Sequence, residues 1–221
     1  MVSFSLVFKR ECVLLLRTPQ SWLQGLLFFT LVIFLFSFVL MAKQTDYQVL
    51  LPLYIWLAAL LAQLLAIDAL FKQDYLDGSL DLLLLSDTDL SYLIIGKILP
   101  HLLFSLIPLL ILTALLSVVW QFEIQLMAVL LLSLIIGLPS LFLFGSIGAA
   151  LTVSVRNSSV LTGIILLPLY VPVLLFAVSA VQNTALGLPW QGAIALLGAN
   201  FILAGILAPI ASAAVLKVTA G

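Results

Sequence analysis

Charge is what this chain has least of. Only 8% of its 221 residues are Asp, Glu, Lys or Arg, against roughly 25% in a soluble domain. With a mean hydropathy of +1.36, that deficit excludes a soluble fold. Eight basic residues and a net charge of −1 leave no basic footprint, so no nucleic acid is expected as a partner. Cys12 is the single cysteine, which excludes an internal disulfide and any Cys-x-x-Cys or Cys-x-x-Cys-His site. His101 is the single histidine, so His-Glu-x-x-His is absent, no nucleophilic Ser-His-Asp set assembles, and no metal site is expected. The Gly-x-x-x-x-Gly-Lys-[Ser/Thr] phosphate loop is missing as well. The chain therefore reads as no enzyme, with no intrinsic cofactor, and any work it does draws energy from another subunit.

What it has in abundance is long apolar runs. A span needs about 20 apolar residues, and six stretches qualify: roughly 21–42, 48–70, 93–119, 124–152, 158–181 and 191–216. The pattern predicts an all-α membrane protein with six transmembrane helices in one domain covering 1–221. The first run follows Lys9, Arg10 and Arg17, but it is longer than a signal core and Met41-Ala42-Lys43 is a poor cleavage site, so it reads as a retained span. Residues 3–18 have a helix-like pattern, with Phe4, Val7, Phe8, Glu11 and Leu15 between basic positions, and Thr18-Pro19 ends it. An interfacial helix on the inner leaflet, with basic side chains on lipid phosphates, is expected there. A simple flank to the first span is the alternative.

Basic residues orient the chain. With the N-terminus inside, Lys9, Arg10, Arg17, Lys72, Lys97, Arg156 and Lys217 fall on the cytoplasmic side and Lys43 alone falls outside. Both termini are then cytoplasmic. The midplanes of the six spans lack Asp, Glu, Lys and Arg, groups on which ion-coupled transporters depend. Asp68 and Lys72, spaced i, i+4, predict an interfacial ion pair.

The loop between the second and third spans, 71–91, holds Asp74, Asp77, Asp81, Asp87 and Asp89, five of the nine acidic residues. Asp77-Gly78-Ser79 is turn chemistry, in which Asp77 or Ser79 caps a short helix, and Asp87 or Asp89 caps the third span. Leu80, Leu83 and Leu84 share a face of that helix. Such a face can enter a groove on a soluble partner or rest on head groups and neighbouring spans. Asp77, Gly78, Ser79, Leu80 and Leu83 are the candidate partner-docking residues.

Pro100 and Pro108 are expected to interrupt the third span, and Pro168 and Pro172 the fifth, making the fifth a candidate moving element. The fourth, with Gly137, Pro139, Gly145 and Gly148, is expected to be tilted or broken, with Gly145-x-x-x-Ala149 allowing close helix approach. Gly198, Gly205 and Ser212 recur every seven residues in the sixth as a packing seam. His101, beside Pro100 and one turn after Lys97, is a candidate haem or metal ligand; an interfacial hydrogen bond is the plainer role.

The order Leu57-Ala58-Ala59-Leu60-Leu61, Leu70-Phe71-Lys72-Gln73-Asp74 and Asp77-Gly78-Ser79-Leu80 resembles the second span and following loop of the CcmB (haem exporter protein B) family. So do Lys97-Ile98-Leu99-Pro100-His101, Pro108-Leu109-Leu110-Ile111, Gly148-Ala149-Ala150-Leu151-Thr152-Val153 and the run from Leu166 to Ala177. The likeness covers the whole length. It departs at Asp81-Leu82-Leu83, where the family pattern is closer to Glu-Gln-Leu. The resemblance implies an ABC-2-like permease subunit for c-type cytochrome maturation in the bacterial inner membrane. It implies a CcmA-like ATPase that binds ATP, CcmC-, CcmD- and CcmE-like haem-handling partners, and two copies per complex. Haem is then the transported or handled ligand, or the subunit is a lever that remodels a haem chaperone. An ABC-2-like exporter of another amphiphile, and a non-transporting scaffold, are the other readings.

Overall fold

The computed structural model describes residues 3–43, 47–67, 69–86, 88–155 and 158–219. Asp68, Asp87 and Arg156, and with them the Asp68–Lys72 pair, lie outside the described residues. All regular structure among the described residues is helical: α1 (Phe4–Arg17), α2 (Gln20–Lys43), α3 (Tyr47–Ile67), α4 (Ala69–Leu76), α5 (Ser79–Leu84), α6 (Leu90–Val119), α7 (Ile124–Leu151), α8 (Ser158–Ala185) and α9 (Gln191–Thr219). Helix follows from the composition. A backbone in hydrocarbon must satisfy its own N–H and C=O groups, and a single strand cannot. Six spans, 22–40, 48–76, 90–119, 124–151, 161–185 and 191–219, are long and apolar enough to cross a bilayer.

α3 and α7 form the centre, with α2, α6, α8 and α9 around them and α1 packed along the first turns of α6. Glycine permits this closeness. A Cβ on Gly137 of α7 would stand 2.4 Å from the Trp56 ring of α3, and one on Gly145 would stand 2.7 Å from both Ile67 and the Tyr170 hydroxyl. Trp56 is fully buried and donates from Nε1 to Ser133 Oγ at 3.1 Å, joining α3 to α7. Ser146 and Ser212 share a 3.0 Å hydrogen bond between α7 and α9.

Three expectations are corrected. Pro100 and Pro108 lie inside a continuous α6, and Pro168 and Pro172 inside a continuous α8. α7 likewise runs unbroken through Pro139. Each proline removes one donor, but the flanking turns keep their bonds and lipid offers the backbone no alternative partner. The third correction concerns α9: a Cβ on Gly198 or Gly205 would meet nothing within 4 Å, and of that heptad stripe Ser212 alone is in a packed contact.

Two helix ends share one geometry. After α8, Gly187 takes a left-handed φ of 70°, its N–H reaching Thr184 O and that of Leu188 reaching Asn183 O. After α6, Gln121 takes φ 51°, its N–H reaching Val118 O and that of Phe122 reaching Ser117 O. Both are Schellman ends, the second without the usual glycine.

Candidate functional site

The acidic loop folds as a knuckle. α4 ends at Leu76, Gly78 turns the chain with a left-handed φ of 75°, and α5 begins at Ser79. Only glycine adopts that φ without strain. The N-cap position is Gly78, and of the two candidates Asp77 acts from one residue before it: its Oδ1 accepts from the Ser79 N–H at 2.9 Å. Hydrogen bonds from the Ser79 side chain and then its backbone hold the Asp77 carboxyl below the usual range. At the entry to α6 it is Asp89 whose Oδ1 accepts from the Ser91 N–H at 2.9 Å.

The docking face differs from expectation. Asp77 and Gly78 are exposed and Ser79 is half-buried, but Leu80 is fully buried and Leu83, with Leu84, packs against the core. That apolar face turns inward because the bundle is the nearest apolar surface. What α4–α5 offers to the outside is Leu76, Leu82 and Leu85, at 76%, 68% and 83% exposure, with Tyr75, Asp77 and Asp81 among them.

Behind the knuckle lies a charge cluster drawn from four helices. Arg10 of α1 donates from Nη1 to Glu11 Oε1 at 2.9 Å and from Nη2 to Asp74 Oδ1 of α4 at 3.0 Å. The same Nη2 reaches Ser79 Oγ at 3.2 Å, and that hydroxyl donates to Asp74 Oδ1 at 2.9 Å. Lys97 of α6 pairs with Asp74 Oδ2 and, at 3.2 Å, with Glu11 Oε2. His101, one turn further along α6, places Nε2 3.2 Å from Glu11 Oε2. Glu11, Asp74 and Lys97 are all buried. Two carboxylates here face two cations at bonding distance, the arrangement in which buried charges are tolerated. Burial opposes ionisation of Glu11, but the His101 hydrogen bond and the Lys97 charge outweigh it and hold its carboxyl below the ordinary range. Arg10 is shifted upward: burial opposes this, and the bond to Asp74 and the surrounding carboxylates prevail.

Two expected site residues, Ser79 and His101, thus belong to one network, Ser79 through Asp74 and His101 through Glu11. Pro100 adjoins His101 in sequence, while Pro108, Pro168 and Pro172 lie elsewhere. Arg10 faces Asp74 and Glu11, where the sequence suggested lipid phosphate. Nε2 of His101 is engaged by a carboxylate, so iron ligation through that atom requires the Glu11 contact to break. A cleft of about 60 Å³, lined by Arg10, Glu11, Asp74, Asp77, Lys97 and His101 among others, opens beside the cluster. Sequence reasoning missed Glu11 and Asp74 as partners of Lys97. Two signals pointed there: Glu11 stands between Val7 and Leu15 on the buried face of α1, and Lys97 and His101 are spaced i, i+4.

Comparison with known proteins gives this arrangement a family. The sequence model of the family described as CcmB protein matches residues 2–219. The chain belongs to the CcmB family. Its relatives include Heme exporter protein B of Pseudomonas aeruginosa, 40% identical over 218 residues, 99% of this chain and 98% of that protein. Heme exporter protein B of Haemophilus influenzae is 36% identical over 213 residues, 96% of each chain. That of Escherichia coli K12 is 35% identical over 213 residues, 96% of this chain and 97% of its own. The charge cluster, the knuckle and all six spans fall within the residues matched to the CcmB family.

Proposed function

We propose that this CcmB-family chain is the permease subunit of an ABC-type haem exporter complex serving c-type cytochrome biogenesis. It sits in the bacterial inner membrane with both termini cytoplasmic and has no catalytic activity of its own. A CcmA-like ATPase binds and hydrolyses ATP, and CcmC-, CcmD- and CcmE-like proteins handle the haem. Two copies per complex match the pairing of ATPases in this transporter class. Lys9 and Arg17 of α1 and Lys217 of α9, all exposed, meet lipid head groups.

The observation that carries the reading is the knuckle. Three leucines stand out from a capped turn between two spans, among carboxylates, in a chain whose nucleotide chemistry must come from elsewhere. An apolar point ringed by acid fits an apolar groove with a basic rim. Leu76, Leu82 and Leu85 replace Leu80 and Leu83 as its contacts, with Asp77, Gly78 and Ser79 fixing the turn. Pro168 and Pro172 retain a conformational role as places where α8 lacks a donor and bends at low cost.

Whether haem passes through the chain or the chain levers a haem chaperone is a second question. Packing favours the lever or a path between subunits, since Trp56 fills the contact between α3 and α7, and Leu138, Leu141 and Phe142 of α7 are buried as fully, with no exposure above 1%. The test is affinity purification of the tagged chain from native membranes, with identification of partners and a haem spectrum. An ATPase recovered together with haem-handling proteins supports the reading. An ATPase alone points to another amphiphilic cargo, and recovery of neither sinks the reading. Haem absorbance lost in His101→Ala makes that residue a ligand; absorbance retained leaves it a partner of Glu11.

A further inference from the structure

The cluster binds together the parts that a partner ATPase would have to move. Asp74 is its centre: one carboxylate oxygen takes Arg10 of α1 and the hydroxyl of Ser79 at the start of α5, the other takes Lys97 of α6. Glu11 closes the circuit from α1 back to α6 through Lys97 and His101. We propose that Asp74 is a positioning residue that fastens α1, the α4–α5 knuckle and the start of α6 into one body, so that displacement of the knuckle is delivered to α6. This rests on the proposed coupling to an ATPase.

A buried ion pair adds little net stability compared with apolar packing, but it penalises every arrangement that separates its members. Three helices pinned through one carboxylate therefore keep their register when pushed. An apolar contact is non-directional and can be exchanged for a neighbouring one; a buried Lys–Asp pair cannot, because separation leaves each charge buried without its partner. Leu80, fully buried beneath the turn, removes the slack between α5 and the bundle. Around α1 the remaining contacts are apolar, with Phe4 5.1 Å from Tyr92 of α6 between ring centroids and Val7 and Leu15 buried. These hold α1 to α6 at the flanks and leave the register to the charges between them.

The experiment uses the whole complex in nanodiscs, with Cys12→Ser and spin labels at Leu16 of α1 and Gln73 of α4, both exposed and both outside the leucines proposed to meet the ATPase. Their distance distribution is measured by pulsed EPR without nucleotide and after trapping with ATP and vanadate. Cytochrome c yield and ATP hydrolysis are measured in parallel, on unlabelled complex, for the native chain, Asp74→Asn and Asp74→Glu. The expected result is one narrow distance, unchanged on trapping, in the native complex. In Asp74→Asn that distance broadens or shifts, hydrolysis and assembly persist, and cytochrome yield falls several-fold, with partial recovery in Asp74→Glu. A native distance that changes on trapping overturns the proposal, as does Asp74→Asn with a native distance and full yield. Loss of assembly in Asp74→Asn with assembly kept in Asp74→Glu assigns the residue to docking and also overturns it. If no ATPase accompanies the native chain, the functional reading fails separately; the label distance in the isolated chain, native against Asp74→Asn, then decides whether Asp74 fastens the helices.

Discussion

Buried between Arg10, Lys97 and His101, Glu11 keeps its charge because its partners outweigh its desolvation. A carboxyl with a lowered folded value contributes stability that is present above its unfolded value, about 4.3 for glutamate, and lost as pH falls through the folded one. The detergent-solubilised chain should therefore melt at progressively lower temperature as pH falls below about 4.3. Glu11→Gln should flatten that acid limb and lower stability at neutral pH by about 3 kcal/mol, since Lys97 loses one of its two anions. Parallel acid limbs in the two proteins would remove Glu11 from the account. A second residue-scale test concerns Gly137. Its Cβ position lies 2.4 Å from the ring of Trp56, which is pinned to Ser133. Gly137→Ala should destabilise by about 1–3 kcal/mol, as overpacking does, read as a drop in melting temperature. Glu11 was legible only as a member of the α1 pattern. Its role was hidden because 90 positions separate it from His101, and nothing local reveals a partner so distant.

At the scale of the element, α5 divides one short helix between two surfaces. Leu80 and Leu83 are spaced to share a face, and that much follows from helical periodicity. Which surface the face meets is a matter of tertiary packing. The double change Leu82→Asp and Leu85→Asp should abolish ATPase co-purification while leaving the amount of chain in the membrane unchanged. Leu80→Asp should instead reduce that amount, because a carboxylate would be buried without a partner. Equal losses of the chain in both variants would dismiss the knuckle as a docking surface. The α6 end offers a cleaner check: Gln121→Gly relieves a left-handed φ of 51° and should be neutral to stabilising by about 1 kcal/mol. The proline expectations failed at this same scale. Pro100, Pro108, Pro168 and Pro172 each remove a bond, but a helix of 28 or 30 residues in an apolar surround retains the rest.

For the molecule as a whole, orientation is the property most open to a direct test. In a Cys12→Ser background, Leu188→Cys in the α8–α9 connection should react with an impermeant thiol reagent applied to spheroplasts. Leu85→Cys should react only after permeabilisation. The reverse pattern would invert the topology and place the knuckle beyond reach of any cytoplasmic ATPase.

Hydropathy, read along the chain, determined that this is a helical protein with six membrane-crossing segments, and the family resemblance was equally legible in the order of its apolar words. Both are local properties, because lipid forces each segment to satisfy its own backbone and one apolar run is recognisable without its neighbours. Turn chemistry was local too: Asp77 and Asp89 each bond a backbone N–H two residues along the chain. Tertiary structure alone decided which side of α5 faces out, that Trp56 fills the gap left by Gly137, and that Arg10, Glu11, Asp74, Lys97 and His101 come together. Each of these depends on which helices touch, and in a chain where almost every residue is apolar all the way round its helix, periodicity carries no information about neighbours.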